Sequence, residues 1–363
     1  MTPEDRLIAR IASALGNGNW RARENLRLGI GDDAAVVAAG SGTEWALSCD
    51  AFLEGVHFRA NLHPPDSVGY KALARATSDL AAMGAIPRFF LLTLALPKDR
   101  TGKWLDQFLA GMRRAAREFG MTLIGGDTTK SHAIFVSITV VGENPVAART
   151  GVIGENRSAS LVRRSGARPG DRIYVSGGNL GAAQLGLLLL KSGLEFPRQR
   201  GFTGEAKGRT KLHMLALKAH LYPRIRVDLG VFLARTQLAS AMIDISDGLS
   251  TDLGRLCTAS GVGTRIWAER IPCVQIPAGL RGKDAEALAR LRLDPLKLAL
   301  DGGEDYELLF TVPSKNEKRL RRAPEFQELR KIGEIVRGRK IALVQKDGSE
   351  KQLISGGWDP FRR

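Results

Sequence analysis

The sequence has few cysteines and few histidines, and this scarcity excludes several classes of protein. The three cysteines, Cys49, Cys257 and Cys273, are odd in number and form no C-x-x-C pair. This argues against a disulfide framework and predicts a reducing, cytoplasmic location. The five histidines include no H-E-x-x-H motif and no Cys/His cluster, so a zinc site is not expected.

Long apolar runs and several common catalytic motifs are also absent. The longest apolar runs, 89–97 and 185–190, are far shorter than the ~20 residues that cross a bilayer. The N-terminal MTPEDRLIAR lacks the apolar core of a signal peptide, so we expect no membrane attachment. The chain contains neither a P-loop motif nor a G-x-S-x-G nucleophile elbow.

The charge is strongly basic, at +16 over 363 residues. Such a balance raises nucleic acid or another anion as a partner. Aromatic residues do not interleave with the basic stretches 197–226 and 314–340, as a single-strand stacking surface would need. We interpret these stretches as solvated surface, and a nucleic-acid-binding protein remains an alternative that would leave the acidic motifs below unexplained.

Strand and helix patterns alternate in both halves of the chain, which predicts a mixed α+β fold with domains at 1–150 and 151–363. The stretch 143–171 is rich in Gly, Pro, Ser and Arg and predicts the junction. Apolar periodicity predicts strands near 34–38, 44–49, 88–96, 134–142, 172–177, 241–245, 308–312, 328–336 and 341–345. It predicts helices over 66–83, with Gly84 as C-cap, and over 102–119, 180–190 and 249–259.

Acidic residues recur beside Gly, Ser or Thr at the ends of apolar segments. The motifs are GIGDDAA (29–35), SCD (48–50), SDLAAMGA (78–85), IGGDTTK (124–130), DISDGL (244–249) and GGEDYELLF (302–310). Any one of them could be a turn or a helix cap. GIGDDA also matches part of a dinucleotide fingerprint, but no clear strand precedes it and a strand follows it. Six such motifs favour a shared site for Mg²⁺ and phosphate, because Mg²⁺ prefers oxygen ligands.

In this order the motifs resemble those of the thiamine-monophosphate kinases, within the AIR-synthetase-like (PurM-like) ATP-binding superfamily. DISDGLSTDLGRL and GGEDYELLFTV are the most specific, and the resemblance extends to GGWDPF (356–361). It implies ATP-dependent phosphorylation of thiamine monophosphate to thiamine diphosphate. It also implies a PurM-like two-domain architecture, in which an N-terminal ATP- and Mg-binding sheet domain forms a homodimer and a C-terminal α+β domain closes the cleft.

The resemblance also implies the site residues. Magnesium ligands are expected at Asp33, Ser48, Cys49, Asp50, Asp79, Asp127, Asp244 and Asp247. Contacts to ATP are expected from Gly126, Asp127, Arg164 and Ser246, and contacts to the thiamine phosphate from His57, Glu304 and Trp358. Asp50, Asp79 and Asp127 would stabilise charge, and no side chain would act as acid or base, because a phosphate acceptor with a second pKa of ~6 is already ionised. The expected cofactors are Mg²⁺ and co-substrate ATP, with K⁺ as a further candidate.

The chain departs from the family pattern at two places. Position 49 is Cys instead of Thr or Ser, and a thiol is a poor magnesium ligand, so any contact there would use the backbone oxygen. The segment 144–160 is longer than expected and could be a lid, a subunit contact or an insertion. An AIR-synthetase-like ligase is the alternative enzyme. A selenophosphate synthetase is not expected because residues 1–28 contain no Cys, nor a hydrogenase-maturation protein because the sequence ends in PFRR.

Overall fold

The structure of the chain is a computed structural model that describes residues 2–15, 25–40, 42–145, 160–192, 207–276, 293–322 and 326–361. Most of the long segment 144–160 lies outside these residues, as does part of the basic stretch 197–226. The proposed role of the segment therefore stays a prediction. No described helix is long and apolar enough to cross a membrane.

The first half of the chain forms a six-stranded sheet in the order β1-β2-β3-β6-β4-β5. The strands are β1 (Leu26–Leu28), β2 (Ala35–Gly40), β3 (Thr43–Leu53), β4 (Ile86–Leu96), β5 (Thr122–Lys130) and β6 (Phe135–Glu143). Neighbouring strands are antiparallel except β4 and β5, which run parallel. Strand β6 alternates buried and half-buried residues because only one of its faces meets the core.

The first half of the chain also contains three helices: α1 (Pro3–Leu15), α2 (Pro65–Met83) and α3 (Lys103–Glu118). Helix α2 is buried along almost its whole length, and Leu73 and Leu80 belong to the same core cluster as Val136 and Ile138 of β6. Gly84 ends α2 in the left-handed conformation with φ 68°, which confirms the predicted C-cap. The buried face of α2 therefore fixes what its polar residues can reach.

The second half forms a seven-stranded sheet in the order β13-β12-β9-β11-β7-β10-β8. Its strands are β7 (Arg172–Val175), β8 (Ala241–Asp244), β9 (Gly263–Trp267), β10 (Leu308–Val312), β11 (Arg330–Val336), β12 (Ile341–Val344) and β13 (Glu350–Gln352). The helices are α4 (Ala182–Lys191), α5 (Lys207–Leu221), α6 (Val227–Thr236), α7 (Leu249–Ser260), α8 (Pro295–Asp301) and α9 (Glu317–Leu320). Strands β8 and β10 are buried throughout, so the loops that follow β8 and precede β10 are held firmly.

The predicted elements lie close to the observed ones, and the α+β class is confirmed. Three sequence-based interpretations were wrong or incomplete. A short strand, β1, does precede GIGDDA, although β2 and not a helix follows it. IGGDTTK lies within β5 rather than at the end of an apolar segment, and its two glycines hid the strand. Strands β9 and β13 and helices α5, α6 and α8 were not predicted. The first sheet ends at Glu143 and the second begins at Arg172, but the division at residue 150 stays a prediction.

Glycines allow α2 and α3 to lie in backbone contact. A Cβ built on Gly69 of α2 would lie 1.9 Å from the Phe108 carbonyl oxygen, and one on Gly111 of α3 would lie 1.8 Å from the Asp66 carbonyl oxygen. Backbone atoms cannot move aside as side chains can. The contact therefore requires glycine on both helices, and it sets the position of α2 relative to the sheet.

We predict that Gly69→Ala lowers the free energy of unfolding by about 1–3 kcal/mol because the added methyl forces the helices apart. Urea unfolding followed by circular dichroism measures this change. Gly254→Ala in α7 is the matched control, because its Cβ would meet only Ile341 at 3.9 Å. The control should be neutral or more stable by up to ~1 kcal/mol. Equal losses in the two variants would contradict the packing argument.

Candidate metal and nucleotide site

Three carboxylates from distant parts of the chain meet in the interior. Asp33 lies in the turn between β1 and β2, Asp79 lies in the last turns of α2, and Asp244 is the last residue of β8. Each offers one oxygen, and these oxygens all lie within 4.8 Å of one another. The structure therefore brings together the first, third and fifth acidic motifs of the sequence. We call these three residues the carboxylate triad.

Serine hydroxyls orient two members of the triad. Ser48 of β3 donates a hydrogen bond to Asp79, and Ser78 donates to Asp244 at 2.6 Å. Asp33 receives the guanidinium of Arg164 at 2.6 Å. One oxygen of each carboxylate is thus fixed by a partner.

The neighbouring Asp32 explains why the sequence doubles this aspartate. Its carboxylate accepts hydrogen bonds from the backbone N–H of Asp33 at 3.0 Å and from that of Arg164 at 3.1 Å. Burial and the charge of Asp33 raise the pKa of Asp32 to about 6. Asp32 therefore joins the turn to the segment at residue 164, which leaves the Asp33 carboxylate to take part in the triad.

Electrostatic repulsion within the triad is not offset by the protein alone. Burial, followed by the charges of Asp244, Asp50 and Asp33, raises the pKa of Asp79 well above its usual range. Burial and Asp33 also raise the pKa of Asp244 to about 7, although Ser78 and Arg164 oppose the shift. Like charges at such short range in a buried place disfavour ionisation unless a cation lies between them.

The donor set of the triad fits a hard divalent cation. Its ligand atoms are carboxylate oxygens, with a serine hydroxyl alongside, and Mg²⁺ prefers such oxygens. The Oδ2 atom of Asp33 is buried and has no hydrogen-bond partner among the described residues. A buried carboxylate oxygen without a partner is costly, and a bound cation would satisfy it.

Strand β3 sends its neighbouring residues to opposite faces of the sheet. Asp50 lies on the same side as Ser48 and forms an ion pair with Arg75 of α2 at 3.4 Å. The Sγ atom of Cys49 points the other way and lies 3.4 Å from the hydroxyls of Ser137 and Thr139. The side chain of Cys49 is thus directed away from the triad, as expected for a position that could reach a metal only through its backbone.

Asp127 and Gly126 lie apart from the triad, on the edge strand β5. The register aligns Ala51, Ser137, Thr93 and Asp127 in one row across four strands. Residues in such a row share a face, so Asp127 lies about 14 Å from β3, on the face that carries the side chain of Cys49. The described chain alone does not place Asp127 beside the triad, and its assignment to the metal site stays a prediction.

The DISDGL motif turns sharply after β8 and presents Asp247 to an arginine. Arg255 of α7 forms ion pairs with Asp247 and, at 3.0 Å, with Asp252. The backbone carbonyl of Asp247 accepts the N–H of Trp358 at 2.9 Å. The indole of Trp358 is 48% exposed, so the C-terminal GGW turn displays a ring beside this loop and does not bury it.

The GGEDYEL loop before β10 has an unusual backbone. Glu304 and Tyr306 have φ values of 60° and 51°, a region that non-glycine residues rarely occupy. The N–H of Glu304 donates to the carbonyl of Ser246 at 2.7 Å, which joins this loop to DISDGL. Asp305 is not a metal-facing residue, because its carboxylate accepts the Gly181 N–H at 2.8 Å at the start of α4. Strained residues of this kind concentrate at functional sites.

His57 follows β3 and is kept neutral. Its Nδ1 accepts the N–H of Leu53 at 3.0 Å. Burial, helped by Arg75, lowers the pKa of His57 to about 4. The imidazole can therefore offer Nε2–H as a donor, and the ring packs against Phe52 with centroids 5.6 Å apart.

Sequence reasoning missed the basic residues that partner the acidic ones. Arg75 and Arg255 each pair with an expected metal ligand, while Lys71 and His220 contact Glu304. None of them stands in a recognisable motif except Arg255, which lies inside DISDGLSTDLGRL. Only the helical spacing of Lys71 and Arg75 relative to Asp79, four residues apart each time, could have suggested their common face.

Comparison with known proteins places this geometry in a family. The family model for the AIR synthase related protein, N-terminal domain, matches residues 31–144, and that for the C-terminal domain matches residues 168–346. The chain is 36% identical to the thiamine-monophosphate kinase of Salmonella typhimurium over 81% of this chain and 79% of that protein. It is 32% identical to the Aquifex aeolicus enzyme over 92% of each. The chain belongs to the thiamine-monophosphate kinase family.

A solved structure supports the same assignment. AaThiL complexed with AMPPCP and TMP superposes with a TM-score of 0.75 at 30% identity, covering 99% of both chains. The two-domain PurM-like fold and the family resemblance predicted from the acidic motifs are therefore confirmed. The roles of individual site residues remain predictions from the motifs and from the geometry above.

We predict that Asp79→Asn raises the melting temperature in EDTA at pH 8 by roughly 2–4 °C, because it removes one of three repelling charges. It should also reduce the rise in melting temperature that Mg²⁺ produces in the wild type. Asp127→Asn is the control and should leave the melting temperature in EDTA unchanged, since Asp127 lies on an exposed strand. A Mg²⁺ effect of equal size in Asp79→Asn and the wild type would remove the triad as the cation site.

Proposed function

We propose that this chain catalyses the ATP-dependent phosphorylation of thiamine monophosphate to thiamine diphosphate. The observation that carries the proposal is the buried carboxylate triad with its partnerless oxygen, in a chain that belongs to the thiamine-monophosphate kinases. A phosphoryl donor and a phosphorylated acceptor are both anions. Their approach requires a site that concentrates positive charge, and acidic side chains provide this only by holding dications.

The triad, with Ser48, Asp50 and Asp247 nearby, would hold Mg²⁺. When bound, Mg²⁺ neutralises phosphate oxygens and aligns the two substrates. Asp50 and Asp247 each form an ion pair with an arginine, Arg75 and Arg255 respectively, which fixes the position of their carboxylates. K⁺ stays a candidate only, because nothing in the described residues favours a monovalent ion over a divalent one.

Arg164 and Ser246 would contact the nucleotide. The Arg164 guanidinium binds Asp33 through one nitrogen, while its Nε has no hydrogen-bond partner among the described residues. A guanidinium carries five N–H donors, so Arg164 can bind phosphate oxygens in a forked geometry while it holds Asp33. Ser246 lies two residues beyond Asp244, so a phosphate held there would also lie beside the triad.

His57, Glu304 and Trp358 would receive the acceptor. The neutral His57 can donate to a phosphate oxygen, and the half-exposed Trp358 ring can stack on a cationic heterocycle. Glu304 is ionised and can accept a hydrogen bond from an amino group of the substrate. His57 would thus serve the phosphate end of thiamine monophosphate, whereas Trp358 and Glu304 would serve its cationic, amino-bearing end.

The transfer itself would be a direct in-line displacement. A phosphate oxygen of the acceptor forms a bond to the γ-phosphorus of ATP as the bond from that phosphorus to the β–γ bridging oxygen breaks, and ADP leaves with the bond electrons. The acceptor phosphate has a second pKa of ~6, so no side chain needs to remove a proton. The chain's residues then act by binding, orientation and exclusion of water, as is usual for phosphoryl transfer.

We further propose that two copies of the chain form a homodimer through the first sheet. Every residue of β5 is exposed, including Leu123 and Ile124 at 50% and 56%. An exposed edge strand with apolar side chains favours pairing or coverage by another chain. Such pairing would bring Asp127 and Gly126 to the subunit contact, where a partner could complete their surroundings. The three free thiols and the use of ATP support a cytoplasmic location.

An ADP-release assay with Mg-ATP tests the proposed reaction. We expect turnover with thiamine monophosphate, none with free thiamine, which lacks the ionised phosphate nucleophile, and none with aminoimidazole precursors. The thiamine diphosphate formed should match ADP one to one. Turnover with free thiamine but not with its monophosphate would refute the acceptor assignment, and turnover with an aminoimidazole precursor would favour a ligase.

The proposed dimer is tested by light scattering after gel filtration. We expect Ile124→Lys to lower the dimer fraction, because a charge on the edge strand opposes pairing. Leu109→Lys is the matched control, since Leu109 is 43% exposed on α3, away from β5. A monomeric wild type, or equal dissociation of the two variants, would exclude β5 as the contact.

A further inference from the structure

A lysine is fully enclosed next to the proposed acceptor site, and no motif of the sequence accounts for it. The Lys71 side chain on α2 is only 2% exposed, and its ammonium lies 2.9 Å from Oε1 of Glu304. A charged lysine is almost never buried without a specific partner, because its desolvation is costly. The pairing with Glu304 is therefore the feature that permits a charged lysine here.

Two buried histidines extend from the same carboxylate: His220 of α5 contacts it, and His63, from the loop after β3, contacts His220. His220 Nδ1 lies 3.1 Å from Oε2 of Glu304, and His220 Nε2 lies 3.0 Å from Nε2 of His63. This series of hydrogen bonds continues to Arg59, whose backbone N–H lies 3.1 Å from His63 Nδ1. These contacts link Glu304 to the loop that also carries His57.

Two arrangements of protons are possible along these hydrogen bonds, because the Arg59 carbonyl lies 3.1 Å from His63 Nδ1 and the Lys71 ammonium lies 3.3 Å from His220 Nδ1. The Arg59 N–H selects one of them. The Arg59 N–H can only donate, so His63 Nδ1 accepts and His63 Nε2 carries the proton. His63 then donates to His220 Nε2, which leaves the proton of His220 on Nδ1, directed at Glu304. The Arg59 carbonyl needs no ring donor, since it already accepts the N–H groups of Leu62 and His63. Burial lowers the pKa of both histidines, in agreement with two neutral rings.

Glu304 thus receives one donor on each oxygen. Lys71 donates to Oε1 and His220 donates to Oε2, and although burial raises the pKa of Glu304, these two neighbours hold it well below its usual range. The Glu304 side chain remains 23% exposed, whereas its two partners are 2% and 0% exposed. Part of the Glu304 side chain therefore remains accessible, while the two groups that hold it are enclosed. A purely structural ion pair would gain nothing from this accessibility.

We propose that Lys71 and His220 are positioning residues that fix Glu304 as an oriented, ionised acceptor for a hydrogen-bond donor or cationic group of the acceptor substrate. The inference rests on the proposed function in taking Glu304 as an acceptor-substrate contact. It adds that Glu304 selects a hydrogen-bond donor or cationic group of the substrate, and that Lys71 and His220 make this selection possible by orienting Glu304. His63 extends the support by fixing the tautomer of His220.

Steady-state kinetics of Lys71→Met test the first half of the proposal. We expect the KM for thiamine monophosphate to rise about tenfold, because a Glu304 with one donor is free to rotate or to take a proton. The KM for ATP and kcat should stay within about twofold, since the interaction concerns binding of one substrate and not the transfer. Tyr70→Phe is the control. Tyr70 neighbours Lys71 on α2, and the substitution removes its part-buried hydrogen bond to Glu118 of α3, so both KM values should stay unchanged.

Two substitutions of His220 test the second half. The side-chain nitrogen of Asn can occupy the place of histidine Nδ1, so His220→Asn keeps a donor to Glu304, whereas His220→Leu removes it. We expect a nearly normal KM for thiamine monophosphate in His220→Asn and an increase of about tenfold in His220→Leu. Should Lys71→Met fail to fold, as its melting curve would show, this pair decides the proposal alone.

The double variant Lys71→Met/Glu304→Gln separates positioning from general stability. If Lys71 acts through Glu304, its loss should raise the KM no further once Glu304 is replaced. Independent, additive increases would overturn the proposal, as would an unchanged KM in both Lys71→Met and His220→Leu. These results would leave the proposed function intact provided that the wild type phosphorylates thiamine monophosphate. A wild type without this activity would overturn both.

Discussion

Mutual repulsion among three enclosed carboxylates is the constraint around which this molecule is arranged. Asp33, Asp79 and Asp244 come from a turn, a helix end and a strand end, and they converge although burial and like charge oppose their ionisation. A chain gains no stability from such a cluster by itself. Its two sheets and the long helix α2 hold the three carboxylates together in spite of their repulsion.

Different types of basic side chain pair with the aspartates and with Glu304. Three of the expected metal ligands pair with an arginine: Asp33 with Arg164, Asp50 with Arg75, and Asp247 with Arg255. Lysine and histidine serve Glu304 instead. Arginine keeps its charge when buried, whereas neutral histidine can direct a single proton.

The acidic motifs revealed much of the site before any coordinates, because carboxylates beside glycine and serine at strand ends are few and their chemistry is narrow. The sequence could not show which of them meet. Asp79 and Asp244 are 165 residues apart, and only the packing of α2 against the β8 end joins them. The strand that carries Asp127 was missed for a different reason, because Gly125 and Gly126 weaken the strand pattern of β5. The basic partners Lys71 and His220 were missed because a lone lysine or histidine in an apolar helix carries no periodic signal.

One helix face supplies four of the groups described above. Lys71, Arg75, Ser78 and Asp79 lie at positions i, i+4, i+7 and i+8 of α2, and so they project from one face of the helix. Arg75 and Asp79 meet residues of β3 in the first sheet, whereas Lys71 and Ser78 meet residues at the ends of strands in the second sheet. A single residue inserted or deleted between 71 and 79 would turn part of that row by about 100°. The region should therefore accept changes of residue type far more readily than changes of length, and natural relatives with altered spacing here would need a differently built cleft.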